Sequence, residues 1–291
     1  MTQQTVQTVT PNGQVAFITG ANTGIGRVTA TTLALQGYHV VLACRNRAKT
    51  DAVLRDIQQR SGGTAQAEFL PLDLGDLNSV RACAQQFLAK NLPLNLLINN
   101  AGLAGNKGLS SSGFELTFGV CHVGHFLLTQ LLMQALQAAP SARIVVVSSR
   151  AHLRVKGIDF ASLKQPTQSP GGLKEYCQAK LANMLFVKGL SKRLKGTAIT
   201  AYALHPGVVA TEVWRSVPAF LQPLIKLFMI SPEQGAQTTL YCATSPQAAG
   251  QSGLYYDGCK PVRHSPAADD DALVERLWTE SEDWVAPYTT A

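Results

Sequence analysis

Short, nearly unbroken apolar runs recur along the chain, with amphipathic stretches between them. The runs are QVAFIT (14–19), HVVLAC (39–44), AEFLPL (67–72), LNLLIN (94–99), RIVVVS (143–148) and AITAYAL (198–204), with SGLYY (252–256) as a seventh. Continuous hydrophobicity rich in β-branched residues is how a strand buried on both faces reads. Helical periodicity fills the intervals, at 24–36, 47–60, 76–90, 113–138, 173–194 and 231–244. This alternation predicts an α/β fold, one doubly wound parallel sheet of about seven strands flanked by helices. Ligands then bind beyond the carboxyl ends of the strands. Two segments interrupt the rhythm. Residues 150–172, rich in Pro, Gly and Ser, read as a flap, and 212–230, EVWRSVPAFLQPLIKLFMI, read as an apolar lid. Long excursions near strand ends are usually binding loops.

The first strand runs into ITGANTGIG, which places Gly20, Gly24 and Gly26 between a buried strand and a helix start. Glycines there permit the turn off the strand, the approach of backbone N–H groups to a pyrophosphate and close helix–sheet packing. The helix N-terminus adds partial positive charge. Asn22, Thr23 and Ile25 share this loop and are assigned with the glycines to cofactor binding. At the end of the second strand, where an acidic residue would accept from a ribose 2′-OH, stands Arg45. A guanidinium favours a 2′-phosphate, so NADP(H) is expected over NAD(H). Asp73 and Leu74 follow the third strand and are assigned to cofactor binding; the Asp73 carboxylate either meets the adenine amino group or caps the next helix.

Composition narrows the classes. Of the 291 residues 46% are hydrophobic and 15% charged, as in a globular chain. The net charge of +7 is scattered, with small clusters at Arg45–Lys49 and Lys188–Lys195 and no contiguous patch, which argues against nucleic acid. The six cysteines show neither CxxC nor metal-ligand spacing, and no metal is expected. Free thiols in apolar runs, a polar N-terminus without a leader pattern and no apolar run approaching a membrane span point to the cytoplasm.

With TGANTGIG, NNAG (99–102), VVVSS (145–149), YCQAK (176–180) and HPGVVAT (205–211), the chain resembles the short-chain dehydrogenase/reductase family over essentially its whole length. The last third is most similar to retinol dehydrogenase-like members, and more distantly to light-dependent protochlorophyllide reductases. The resemblance implies a single NADP-binding Rossmann domain over 1–291, with a tail at 260–291. It implies that Tyr176 is the general acid/base, that Lys180 holds the nicotinamide ribose and lowers the tyrosine's pKa, and that Ser149 orients the substrate oxygen. Asn100, Ala101 and Gly102 would line the cofactor channel, Pro206, Gly207 and Val209 would pack along the nicotinamide, and Thr211 would lie near its amide or the phosphates.

Physics supports the central pair independently. Free tyrosine titrates at about 10, and an ammonium within roughly 4–6 Å favours the phenolate. Residues four apart share a helix face. One departure stands out: CHVGHF puts Cys121 where the resembled members carry an asparagine that helps hold a proton-relay water. A thiol is a weak hydrogen-bond partner, so either a backbone carbonyl and His122 carry the relay or turnover is slowed. His152 is a candidate substrate-pocket residue, and His205 reads as structural.

The expected activity is NADP(H)-dependent hydride transfer to or from a carbonyl or alcohol of a hydrophobic small molecule. The rivals are a catalytically impaired NADP(H)-binding sensor or scaffold, and a protochlorophyllide reductase-like enzyme. The stretch FLQPLIKLFMI reads as a lid or, alternatively, as a peripheral membrane contact. The resemblance implies a homo-dimer or tetramer through helices 113–138 and 173–194; the shorter tail and flap leave a monomer open, and a homo-dimer or monomer is expected.

Overall fold

A computed structural model describes residues 7–207 and 230–289. Its strands are β1 (Val15–Thr19), β2 (His39–Cys44), β3 (Ala67–Pro71), β4 (Leu96–Asn99), β5 (Ala142–Val147), β6 (Ile199–His205), β7 (Tyr255–Asp257) and β8 (Lys260–Val262). They form one sheet in the order β3-β2-β1-β4-β5-β6-β7-β8. Every pairing is parallel except β7–β8. The order reverses between β1 and β4, which opens a crevice at their carboxyl ends.

Seven helices flank the sheet among the described residues: α1 (Gly24–Leu35), α2 (Arg47–Arg60), α3 (Leu77–Leu88), α4 (Leu116–Ala138), α5 (Leu173–Arg193), α6 (Pro232–Thr244) and α7 (Asp271–Thr289). Strand alternation sorts the core into two layers. Phe17, Val41, Leu97, Ile144 and Ala203 face α3, α4, α5 and α7. Ile18, Leu42, Ile98, Val145 and Leu204 face α1, α2 and α6.

The chain departs from the sequence expectation in three places. The seventh strand begins later than expected, at Tyr255, and a short antiparallel eighth follows it. Residues Lys260, Pro261 and Val262 are exposed, and proline is tolerated at a sheet edge. The tail contains a 19-residue helix, α7. It buries Val274, Leu277, Trp278, Ser281 and Val285 and is tied to α5 by Lys192–Asp271 at 2.7 Å and Arg193–Glu275 at 2.7 Å. The Lys188–Lys195 cluster is thus largely paired rather than a free patch. Contrary to expectation, one helix among the described residues, α4, is long and apolar enough to cross a membrane, with a mean hydropathy of 1.4 over its most apolar 18 residues, 72% of which are buried inside the fold.

Helix α4 contains a π turn, Gly119–Val123. Its far side presses on the loop after β3: a Cβ on Gly124 would lie 2.3 Å from the Leu74 carbonyl oxygen. The flap at 150–172 is fastened by two carboxylates. Glu115 Oε2 accepts from Phe118 N at 2.8 Å, and Glu115 Oε1 accepts from the Thr167 hydroxyl. Glu175 Oε1 accepts from Gln168 N and Ser169 N, at 3.0 and 2.9 Å.

Candidate active site

The loop after β1 is built by close contact. Gly20 has φ +65°, and a Cβ on Gly26 would lie 2.3 Å from the Gly20 carbonyl oxygen and 2.5 Å from Asn100 Nδ2. Only glycine lets α1 come this near to the loop after β4. The first turn of α1 has no side-chain cap, because Thr23 makes none. Helices α2 and α3, by contrast, are capped by Asn46 and Asp76, which accept from Lys49 N and Asn78 N at 2.9 Å. The N–H groups opening α1, in the stretch holding Asn22, Thr23, Gly24, Ile25 and Gly26, are therefore left for an anion. Arg45 is exposed at the carboxyl end of β2 and makes no ion pair among the described residues. These groups fit a nicotinamide dinucleotide. Asp73 does not cap the helix: Asp76 does, while Asp73 Oδ1 accepts from Gly75 N at 2.9 Å.

A second knot joins β1, the NNAG loop and α4. The Thr19 hydroxyl accepts from Asn100 N and Ala101 N at 3.0 and 2.9 Å and lies 2.8 Å from His125 Nε2. His125 Nδ1 faces the Cys121 carbonyl at 3.0 Å, so Nδ1 carries the proton and Nε2 accepts from Thr19. Asn100 Nδ2 donates to the Thr19 carbonyl at 2.8 Å. Burial is the main cause that pushes the His125 pKa down to about 4, with Lys180 adding to it and the Cys121 carbonyl opposing.

Beside this knot stands the tyrosine–lysine pair. Both lie on α5, and Lys180 Nζ is 5.7 Å from the centre of the Tyr176 ring. Lys180 is buried at 4% exposure and donates to the Val147 carbonyl at 2.9 Å. Asn183 Nδ2 donates to the same carbonyl at 3.1 Å, and the Ser148 hydroxyl donates to the Lys180 carbonyl at 2.7 Å. One of the three ammonium donors is thereby used and two remain. A Cβ on Gly102 would lie 3.4 Å from Lys180 Nζ and 3.5 Å from Cys121 Sγ, so the three residues meet. Among the described residues the Cys121 thiol reaches no closer acceptor than the Leu103 carbonyl, at 3.9 Å.

Ser149 sits at the carboxyl end of β5 in extended conformation, its Oγ accepting from Ala151 N at 3.2 Å. His205 and Tyr255 are buried, and His205 Nδ1 and the Tyr255 hydroxyl have no hydrogen-bond partner among the described residues. Burial pushes His205 down to about 4 and raises Tyr255. Pro206 and Gly207 continue from β6; Val209, Thr211 and 212–229 of the expected lid lie outside the described residues.

Two histidine expectations are corrected. His122 cannot serve a relay at Lys180: Nε2 bonds Ser281 Oγ of α7 at 2.9 Å, among Phe118, Phe126 and Phe186. His152 is not open to a substrate, since both its ring nitrogens are engaged by backbone, Nδ1 on the Ser149 carbonyl and Nε2 on Ser265 N. The residues that sequence reasoning missed are Thr19, His125 and Asn183. Thr19 was visible as the residue before the glycine loop; the other two have no local signature.

A switch-point crevice with an uncapped helix N-terminus and a lysine-backed tyrosine defines a nucleotide-dependent oxidoreductase of the Rossmann type. The chain belongs to the short-chain dehydrogenase family, whose model matches residues 14–221. Within it the chain is related to retinol dehydrogenases. It is 43% identical over 274 residues to retinol dehydrogenase 11 of Mus musculus, covering 93% of this chain and 86% of that one. It is 43% identical over 275 residues to dehydrogenase/reductase SDR family member 13 of Bos taurus, covering 92% of this chain and 72% of that one. A crystal structure of an uncharacterized protein from Mycobacterium paratuberculosis superposes with a TM-score of 0.76 at 32% identity, over 96% of both chains.

Proposed function

We propose that this chain is an NADP(H)-dependent oxidoreductase that interconverts a carbonyl and an alcohol on a hydrophobic small molecule of retinoid-like character. The observation that carries this reading is the buried Lys180 ammonium 5.7 Å from the Tyr176 ring, in contact range of the NNAG loop. The nicotinamide, when bound, supplies or accepts the hydride. The first turn of α1 would hold the pyrophosphate, Arg45 the 2′-phosphate, and the two free Lys180 donors the ribose hydroxyls. Tyr176 gives its proton to the substrate oxygen in reduction and takes it back in oxidation. The neighbouring ammonium stabilises the negative charge that this leaves on the phenol oxygen. The Ser149 hydroxyl, whose oxygen already accepts from Ala151 N, has its proton free to donate to the substrate oxygen. The hydrophobic substrate follows from the relatives named retinol dehydrogenase and from the exposed Leu153 and Leu173, which flank Ser149 and Tyr176 in the chain.

The test is Tyr176→Phe, assayed for NADPH oxidation with aldehydes and ketones that include retinal. Turnover is expected to fall by at least about 100-fold, with NADPH binding retained. Undiminished turnover would refute the assignment. Arg45→Asp is expected to move the preference toward NADH, and an unchanged NADPH/NADH ratio would remove Arg45 from the cofactor site.

The reading of an impaired sensor draws on Cys121, whose carbonyl already accepts from His125 Nδ1 and whose thiol makes no short hydrogen bond. NADPH binding without turnover on the same panel, together with activity gained in Cys121→Asn, would favour it.

A further inference from the structure

His152 is fully buried, and the catalytic scheme gives it no part. Its imidazole joins three elements. Nδ1 lies 2.6 Å from the carbonyl of Ser149, and Nε2 lies 3.1 Å from the backbone N of Ser265, 113 residues away. The ring meets Tyr255 of β7 edge-on at 4.6 Å. The partners dictate one neutral tautomer: a carbonyl can only accept, so Nδ1 carries the proton, and a backbone N–H can only donate, so Nε2 is bare. Burial favours that neutral form. The tether ends on the peptide group of Ser149. Ser149 itself is extended, at φ −165° and ψ 155°, at the start of a 3-10 turn.

We propose, on the reading of Ser149 as donor to the substrate oxygen, that His152 is a positioning residue. Its Nδ1–H fixes the Ser149 peptide, and Nε2 anchors that peptide to the segment leading into α7. The C-terminal segment thereby sets the aim of the Ser149 hydroxyl without touching substrate. A misplacement of about 1 Å at such a group costs roughly 100-fold in rate.

Three substitutions in the full chain separate the tethers. His152→Asn keeps a donor near the Nδ1 position and loses the acceptor. His152→Gln keeps an acceptor near the Nε2 position and loses the donor. His152→Phe keeps the ring against Tyr255 and, like the other two, the backbone bond from residue 152 N to the Ser149 carbonyl at 3.1 Å. With retinal or another accepted aldehyde, kcat is expected to fall by roughly 10- to 100-fold in H152Q and H152F and only severalfold in H152N, which loses the Ser265 link alone. The NADPH Kd should be unchanged in all three. Equal losses in H152N and H152Q, or full kcat in H152F, would overturn the assignment of His152. Ser149→Ala is the control: full activity there would overturn the role of Ser149 instead. Should the position-152 variants not fold, Ser265→Pro removes the N–H at a φ of −59° that proline accepts. A severalfold loss of kcat at unchanged NADPH Kd then supports the tether, and full kcat overturns it.

Discussion

His125 and His122 leave α4 in different directions, and the two regions they enter are built differently. Around His125 every polar atom is matched. Nδ1–H meets the Cys121 carbonyl, Nε2 meets the Thr19 hydroxyl, and that hydroxyl also takes the N–H groups of Asn100 and Ala101. Around His122 the matching is partial. The Ser281 hydroxyl donates to the Leu277 carbonyl and so accepts from His122 Nε2–H, which leaves Nδ1 bare. His122 Nδ1 and Trp278 Nε1 are both buried without a partner among the described residues, and the void between their side chains is too tight for a water molecule. The seam with α7 relies instead on aromatic contacts: Trp278 lies 5.1 Å from Phe126 and under Arg193 at 4.0 Å. A satisfied network fixes one geometry, and a partly satisfied one only packs. The cofactor side of α4 is the first kind and the tail seam is the second.

Acid breaks both regions, and its effect is the largest expected. Burial lowers His125 to about 4 and His122 to about 3, from an ordinary 6.5. Below pH 6.5 the unfolded chain binds protons at these histidines that the folded chain does not. Their contribution to stability is therefore complete above 6.5 and is lost as pH falls toward the folded values. The loss approaches about 1.4 kcal/mol per pH unit for each histidine. Urea midpoints measured from pH 7 to 4.5 should fall steadily, and His122→Phe should flatten the slope.

A pair of substitutions sharpens the contrast with smaller effects. Thr19→Val leaves His125 Nε2, Asn100 N and Ala101 N without their partner and should cost at least about 2 kcal/mol. It should also weaken NADPH binding, because the NNAG loop loses its anchor. His122→Phe, which removes a half-paired group from an aromatic cage, should change stability at neutral pH by less than about 1 kcal/mol. Equal costs in thermal melts of the two variants would erase the distinction.

What was legible in the sequence follows the same division. Strands β1 to β6 and helices α1 to α6 lie within a few residues of the expected ranges, because continuous apolar runs and 3.6-residue periodicity are local signals. The glycine loop was equally local. Helix α7 was missed although Val274, Leu277, Trp278, Ser281 and Val285 keep a helical spacing; that periodicity could have found it. Strand β8 offers no such signal, being three exposed residues with a proline. Bonds such as Thr19–His125 and His152–Ser265 span more than 100 residues, and no window along the chain contains both ends. Such pairings are decided by the sheet order.

The Lys180 ammonium held over Tyr176 is the feature on which the proposed chemistry depends. Its most direct measurement is the rate of hydride transfer from saturating NADPH in Lys180→Met, with folding verified by melting. A fall of at least about 100-fold relative to the unaltered chain is predicted. A rate equal to that of the unaltered chain would contradict it.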